Sequence, residues 1–570
     1  MKQTNATRLL LKSLIVIFLF LCATGAQADV LNQNEQFFVN SKYDRLSRSI
    51  LTATLRVVGD YAYFYVEDRY WNIISETGKA KLLNRVKELA AEFDSIIYPR
   101  EIQFWGPEPN PGIDNDPRVT ILVEDLLNTN GGYFETANEY PRTIVPESNQ
   151  REMVAISARS DDWDKYFLAH EFQHLISYNQ KELMNNVSEA RWLNELRSEY
   201  SIDLAGYYSQ PSEYLQNRMD FFLKNPSDSL TEWPNVPLDY GVAVVFGQYL
   251  KEQYGPEILR ETMGFALAGI QSLDRFFASH NFPERFGDVF GNWMVANFIN
   301  DTSVDRRYGY IKSDFQTIRV LPDWQVTITN PLSFNSSFIL KNWQPAWKKY
   351  DLSYIPPLFH PSFEFKTSSE QRFLGVLLVF YKDGQYKTYP FETKNGYAKK
   401  TISNNQDNPV DEAILMITNG AGDNSDAEIS VVPVEVVLSF SEKIIQEAQE
   451  SAEEKPEDGA LIKKKNEPDI YVINGRYKRY LSPEVIRLYG HLDSQKTVEV
   501  SPEVFNSYQI SNYAKNINDE KVYAVWADGT KHWLDMSGEY FIQSGRDFGA
   551  VFVVNDSEIN YYKTGESITR

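Results

Sequence analysis

The sequence predicts a multidomain α+β protein, and three observations carry that expectation. At 570 residues the chain is several times the length of an ordinary single domain. Strand and helix patterns intermingle as far as about residue 325, after which short apolar runs alternate with Gly, Asn and Asp turns. Beyond residue 470 two stretches of similar pattern follow one another.

In chain order, residues 1–28 read as an export signal. Lys2, Arg8 and Lys12 form a basic start, Leu14 to Cys22 an apolar run too short to span a bilayer, and Ala26-Gln27-Ala28 a small-residue cleavage pattern. Leu21 before Cys22 departs from a lipoprotein signal. Cleavage after Ala28 would leave a secreted, cell-surface or periplasmic chain with no transmembrane anchor. Cys22 is the only cysteine, so that mature chain forms no disulfide, which suggests a bacterial protein stabilised by packing. Losing residues 1–28 removes three basic and no acidic side chains, deepening the formal charge from −21 to −24. Such acidity argues against nucleic acid and anionic membranes as partners.

Residues 29–325 make the first expected domain. "DPRVTILVED" (Asp116 to Asp125) and "REMVAISA" (Arg151 to Ala158) read as strands. "YFLAHEFQHLI" (Tyr166 to Ile176) reads as a buried helix, with Ser160-Asp161-Asp162 as capping residues and Trp163, Phe167, Leu168, Phe172, Leu175 and Ile176 apolar nearly all round. At i and i+4, His170 and His174 project one above the other, with Glu171 beside them. They are either ordinary boundary histidines or two ligands of one tetrahedral metal. Catalytic zinc takes three protein ligands, so a third is needed. "EARWLNELRSE" (Glu189 to Glu199) offers Glu195 and Glu199 on one helix face, twenty residues further on. That pair is either a solvated face partnered by Arg191 and Arg197, or a third ligand, Glu195, with Glu199 hydrogen-bonded to the outer N–H of a ligand histidine.

"HEFQH" followed by "WLNELRSEY" resembles the gluzincin zinc metallopeptidases, and most of all the hyicolysin-like secreted bacterial metallopeptidases. The metzincin continuation fails, because Ser177 and Gln180 stand at its glycine and histidine positions. The resemblance covers roughly residues 40–310, is most specific over 154–255, and departs at Leu196, where a glycine is usual. It implies a zincin-like metallopeptidase domain, with one Zn²⁺ on His170, His174 and Glu195 and with Glu171 as general base. Asn194 and Glu199 would then support the ligands. In "DYGVAVVFGQYLKEQYG" (Asp239 to Gly255), a helix with a C-cap glycine, the resemblance aligns Tyr240 with a catalytic tyrosine that steadies the oxyanion; a chance match in a chain of 35 tyrosines is the other reading. It also implies that an extended peptide substrate pairs with a sheet edge. Gly132, Tyr133 and Phe134 read either as that edge strand or as a turn with an aromatic plug.

"ERFGDVFGNWMVANFIND" closes the first domain as a helix. Residues 326–440, with "FLGVLLVFYK", "AILMITNG" and "ISVVPVEVVLSF", predict a β-sandwich, and 441–469 a charged, partly helical linker. Residues 470–570 predict a small two-copy module, α+β or all-β, in which Tyr471–Tyr508 matches Tyr523–Tyr562. Lys478-Arg479-Tyr480 and Lys531-His532-Trp533 are either a glycan- or wall-polymer-binding face or plain strand residues. "PGIDNDPR" and "NGAGDNSDAE" are either Ca²⁺ loops or solvated acidic loops. His280, His360 and His491 have no partner pattern and read as structural or surface residues. The functional expectation is an exported zinc endopeptidase acting on proteins or peptides. The alternative is a surface or wall-binding adhesion protein with an inactive protease-like domain. An aminopeptidase would need an acidic motif for the substrate amine, and none is visible.

Overall fold

The computed structural model describes residues 28–127, 131–160, 163–209, 212–420, 422, 431–442, 456–465, 467–489, 492, 497–544 and 546–569. The expected signal, apart from Ala28, lies outside them, as do Asp161, Asp162, His491, most of "NGAGDNSDAE" and the middle of the expected linker. The protein is mixed α/β, with several sheets and more than one domain. Among the described residues no helix is long and apolar enough to cross a membrane.

The first sheet holds β1 (Asn34–Phe38), β2 (Ile50–Val58), β3 (Ala62–Glu67), β4 (Val119–Glu124), β5 (Gly132–Phe134) and β6 (Met153–Ser157), in the order β1-β2-β3-β4-β6-β5. β3, β4 and β6 run parallel, and β5 lies antiparallel to β6 at the end of the sheet. The central strands are apolar on both faces, and their period of two divides the side chains between two cores. Phe64, Val66, Ile121, Val123, Val154 and Ile156 meet the helices, whereas Tyr63, Tyr65, Leu122 and Ala155 fill the opposite face.

The longer helices of this part are α1 (Glu76–Glu92), α2 (Tyr98–Trp105), α3 (Asp164–Ser177), α4 (Arg191–Leu204), α5 (Glu213–Lys224), α6 (Pro237–Tyr254), α7 (Glu257–Met263), α8 (Gly269–Ser279) and α9 (Phe286–Ile299). α3 follows β6 almost directly, starting later than the Ser160–Asp162 caps would place it. Trp163 is its N-cap without a side-chain cap bond, and Asp164 supplies negative charge to the first turn while pairing with Arg85 at 2.7 Å. α6 ends as its sequence predicts, with Gly255 at positive φ.

Two sheets face each other next. One is β13-β10-β15-β8 and the other β12-β11-β14-β9-β7, formed by β7 (Trp324–Thr327), β8 (Phe334–Leu340), β9 (Ala346–Asp351), β10 (His360–Lys366), β11 (Phe373–Tyr381), β12 (Tyr386–Glu392), β13 (Tyr397–Thr401), β14 (Val410–Asn419) and β15 (Val432–Ser441). Alternation again sorts the side chains. Phe373, Leu377 and Val379 of β11 face the interior between the sheets, while Leu374, Val376 and Leu378 join the helical core. Trp347 is fully buried there and donates through Nε1 to the Met294 carbonyl of α9 at 3.1 Å. A side chain of this size contributes about 1.5–3 kcal/mol on full burial, so this face is joined firmly to α9.

The C-terminal part holds β16 (Leu461–Lys464), β17 (Ile470–Asn474), β18 (Tyr477–Leu481), β19 (Val498–Val500) and β20 (Gln509–Ile510) in one sheet. A second contains β21 (Tyr513–Asn516), β22 (Val522–Val525), β23 (Thr530–Trp533), β24 (Val551–Val554) and β25 (Lys563–Thr564). Their orders, β19-β16-β17-β18-β20 and β24-β21-β22-β23-β25, correspond strand for strand. β16 falls inside the stretch read as linker, because Leu461 and Ile462 bury themselves against β17 despite the charged residues around them. Three residues of the two basic-aromatic motifs are turned inward. Lys478 is buried against the Phe505 ring and carbonyl, Arg479 forks onto Glu558, and His532 stacks on Trp526 at 3.6 Å. These internal partners support the reading of Lys478, Arg479 and His532 as plain strand residues.

Candidate metal centre

α3 and α4 cross so that three side chains converge. Nε2 of His170 lies 3.1 Å from Oε2 of Glu195, and Nε2 of His174 lies 3.5 Å from the same oxygen. The imidazoles are one helical turn apart, with centroids at 5.0 Å. Among the described residues this is the one group of His, Cys, Asp or Glu side chains with three ligand atoms all within 4.8 Å of one another. Two imidazole nitrogens and a carboxylate oxygen suit Zn²⁺ and leave its fourth position open.

The surroundings hold these groups in place. Oε1 of Glu199 lies 3.3 Å from Nδ1 of His170. Glu199 is almost wholly buried and accepts bonds from Tyr208, Tyr214 and both arms of Arg218. Oγ of Ser198 rests against the His174 ring, 3.2 Å from Nδ1, and donates to Gln173. Asn194 makes no comparable contact: its side-chain oxygen is buried without a hydrogen-bond partner among the described residues. Arg197 pairs with Glu189, so it does not neutralise Glu195.

Charge follows from these contacts. Burial opposes a charge on His170, but Glu195 and Glu199 outweigh it and its pKa is pushed up to about 10. Burial likewise works against charge on Glu195 and Glu199; His174 and His170 hold the first far below the usual carboxylate range, and Arg218 and His170 do so for the second. Burial raises Glu171, and the two histidines offset this only in part. The buried carboxylates of Glu171 and Glu199 and the partly buried one of Glu195, around two imidazoles, make a pocket that favours a cation.

Glu171 lies under β5. A Cβ on Gly132 would fall 2.8 Å from Cγ of Glu171 and 2.7 Å from the Ala155 carbonyl, so only glycine lets the strand pass there. Phe134 lies on the helix side near Tyr178, and Tyr133 points away, its hydroxyl 2.8 Å from Glu124. Tyr240 of α6 has its ring 6.0 Å from that of His170 and its hydroxyl donating to Asn235 at 2.6 Å. Burial, with Glu195 and Glu171 nearby, raises its pKa, so the phenol keeps its proton.

The acidic loop "PGIDNDPR" offers no comparable centre among the described residues. Asp114 accepts from the Asp116 amide, and Asp116 from the Arg118 amide and the Tyr63 hydroxyl. His280 stacks on Phe276, and His360 accepts from the Asn404 amide, both away from the metal group. Ser198, Arg218 and Asn235 are the neighbours that sequence reasoning missed. Only Ser198, on the same helix face as Asn194, carried a usable spacing signal.

Over 241 aligned positions that cover 37% of this chain, the sequence is 28% identical to the neutral metalloprotease ShpI of Staphylococcus hyicus. This chain is related to a metallopeptidase. The match spans 53% of that protein, so the chain covers about half the length of the curated relative it matches. No family model matches. Among solved structures, Aeromonas hydrophila PliG, a periplasmic inhibitor of g-type lysozyme, aligns with 20% of this chain and 96% of its own at 12% identity. Its TM-score of 0.14 is too low to carry any argument.

Proposed function

We propose that this chain is an exported zinc endopeptidase of gluzincin type, akin to the hyicolysin-like enzymes. The observation that carries the reading is the convergence of His170, His174 and Glu195 beside a buried Glu171. In this reading those three residues hold Zn²⁺, which when bound acidifies a water and polarises a peptide carbonyl. Glu171, its pKa raised by burial, accepts the proton of the attacking water and passes it to the leaving amine. Tyr240, a protonated phenol close by, donates to the oxygen on which charge develops. β5 supports a substrate role for Gly132, Tyr133 and Phe134, because it ends its sheet and the Gly132 backbone lies over Glu171. The carboxylate Glu199 keeps His170 turned with Nε2 towards the metal.

The deciding experiment compares the zinc-loaded protein, the chelated protein and Glu171→Gln on an unfolded protein substrate. Internal cleavage by the first alone is expected, with Glu171→Gln retaining zinc and losing activity by about 10²–10⁴-fold or more. A zinc-loaded wild type that cleaves no unfolded protein would favour the adhesion reading instead.

A further inference from the structure

We propose that Arg218 is the positioning residue joining the metal-binding half of the site to Tyr240; the inference rests on the zinc endopeptidase reading above. Arg218 stands on α5, and its side chain is 14% exposed. Nε lies 3.1 Å from Oε2 of Glu199 and Nη2 lies 2.8 Å from Oε1, a two-armed grip on the carboxylate that meets Nδ1 of His170. The carbon of the same guanidinium lies over the Tyr240 ring, 4.7 Å from its centroid, and over the Tyr214 ring at 4.5 Å. One rigid planar group therefore meets both the support of a metal ligand and the ring of the phenol.

The helix crossing fixes this geometry. A Cβ on Gly241, the residue after Tyr240, would fall 2.6 Å from the amide nitrogen of Phe222 and 2.9 Å from the carbonyl oxygen of Arg218. α5 and α6 thus approach backbone to backbone at the point where Arg218 and Tyr240 leave their helices. The chemistry suits both tasks. A forked, charge-assisted pair fixes the direction of a carboxylate in a way that one ammonium cannot. A phenol that donates to a developing oxyanion gains electron density in its ring, and a cation against the ring face stabilises that shift.

The test uses the full chain with Arg218→Met and Arg218→Lys, each read for zinc affinity by chelator competition and for kcat and KM on a peptide substrate at saturating zinc. Both variants should bind zinc about 10- to 100-fold more weakly, the usual cost of losing a ligand's supporting partner. At saturating zinc kcat should fall while KM stays within about twofold, because the contact to Tyr240 matters as charge develops. Adding Tyr240→Phe to Arg218→Met should cost clearly less than Tyr240→Phe alone, the sign of two residues acting as a unit. Arg218→Lys keeps the buried positive charge and decides the matter should the Met variant not fold. Unchanged zinc affinity in the folded variants, or strictly additive losses in kcat, would overturn the proposal. If the wild type binds zinc yet cleaves nothing, the endopeptidase reading fails, and the zinc measurement alone decides whether Arg218 positions His170.

Discussion

Oε1 of Glu199 lies 3.3 Å from Nδ1 of His170, on the opposite side of the ring from Glu195, which faces Nε2 at 3.1 Å. A carboxylate at Nδ1 holds the proton there and leaves the Nε2 lone pair for a metal. Glu199→Gln should therefore keep the fold but bind zinc about 10- to 100-fold more weakly. His174→Ala should lose stoichiometric zinc altogether, since two ligands remain. Metal content after dialysis against graded chelator separates the two outcomes, and full-affinity zinc in Glu199→Gln would remove its supporting role.

Gly132 offers a separate test of the proposed base. A methyl group at this position would crowd both the Ala155 carbonyl of the neighbouring strand β6 and the stem of Glu171, so both must give way. Glu171 is the softer partner. Gly132→Ala should then shift the carboxylate and lower kcat/KM by about 10²-fold, the cost of a misplacement near 1 Å. Zinc content should stay unchanged, because the ligands lie on α3 and α4. Full activity in this variant would show that the carboxylate position is uncritical.

The metal group is legible in the sequence because its logic is local. Helical period puts His170 over His174 and Glu195 near Glu199, and two strongly patterned helices suffice to suggest that they meet. Strands β4, β6, β11, β14 and β15 are legible for a similar reason, as apolar runs bounded by turn residues. Arg218 is not, since it stands on an ordinary amphipathic helix and gains its role only where α5 crosses α6 at Gly241. Lys478 and Arg479 mislead in the opposite direction. Charged strand residues usually face water, but the Phe505 ring covers the first and Glu558 meets the second, and both partners lie far along the chain. β16 is hidden by its charged surroundings, because a strand of four residues gives too few alternations to register.

Tyr240 carries a prediction with two parts. Its hydroxyl hydrogen is directed to Asn235, a residue at positive φ just before α6, so catalysis requires that hydrogen to turn towards the substrate oxygen. Tyr240→Phe should lower kcat by about 10²–10³-fold with KM nearly constant, the scale for losing one oxyanion donor. Asn235→Gly tolerates the positive φ and removes only the ground-state partner, so its effect should be far smaller. Unaltered kcat in Tyr240→Phe would reduce the residue to packing against His170 and Trp233.

Glu124 gives the pH dependence. It ends β4, is wholly buried, and accepts from the Tyr133 hydroxyl at 2.8 Å, while its other oxygen has no partner among the described residues. Burial pushes its pKa up to about 8, the Tyr133 bond opposing this only in part. An unfolded glutamate loses its proton at about pH 4.3. Between these two values the folded chain binds more protons than the unfolded one, so stability falls as pH rises from about 4.3 to 8 and levels off above that. Glu124→Gln cannot ionise yet keeps an oxygen to accept from Tyr133, so its urea midpoint should decline less than that of the wild type between pH 5 and pH 8. The comparison at matched pH isolates this residue from other raised carboxyls such as Glu152. Parallel pH profiles for the two proteins would mean that Glu124 is already ionised in the fold, and that the anchor of Tyr133 in β5 is a charged one.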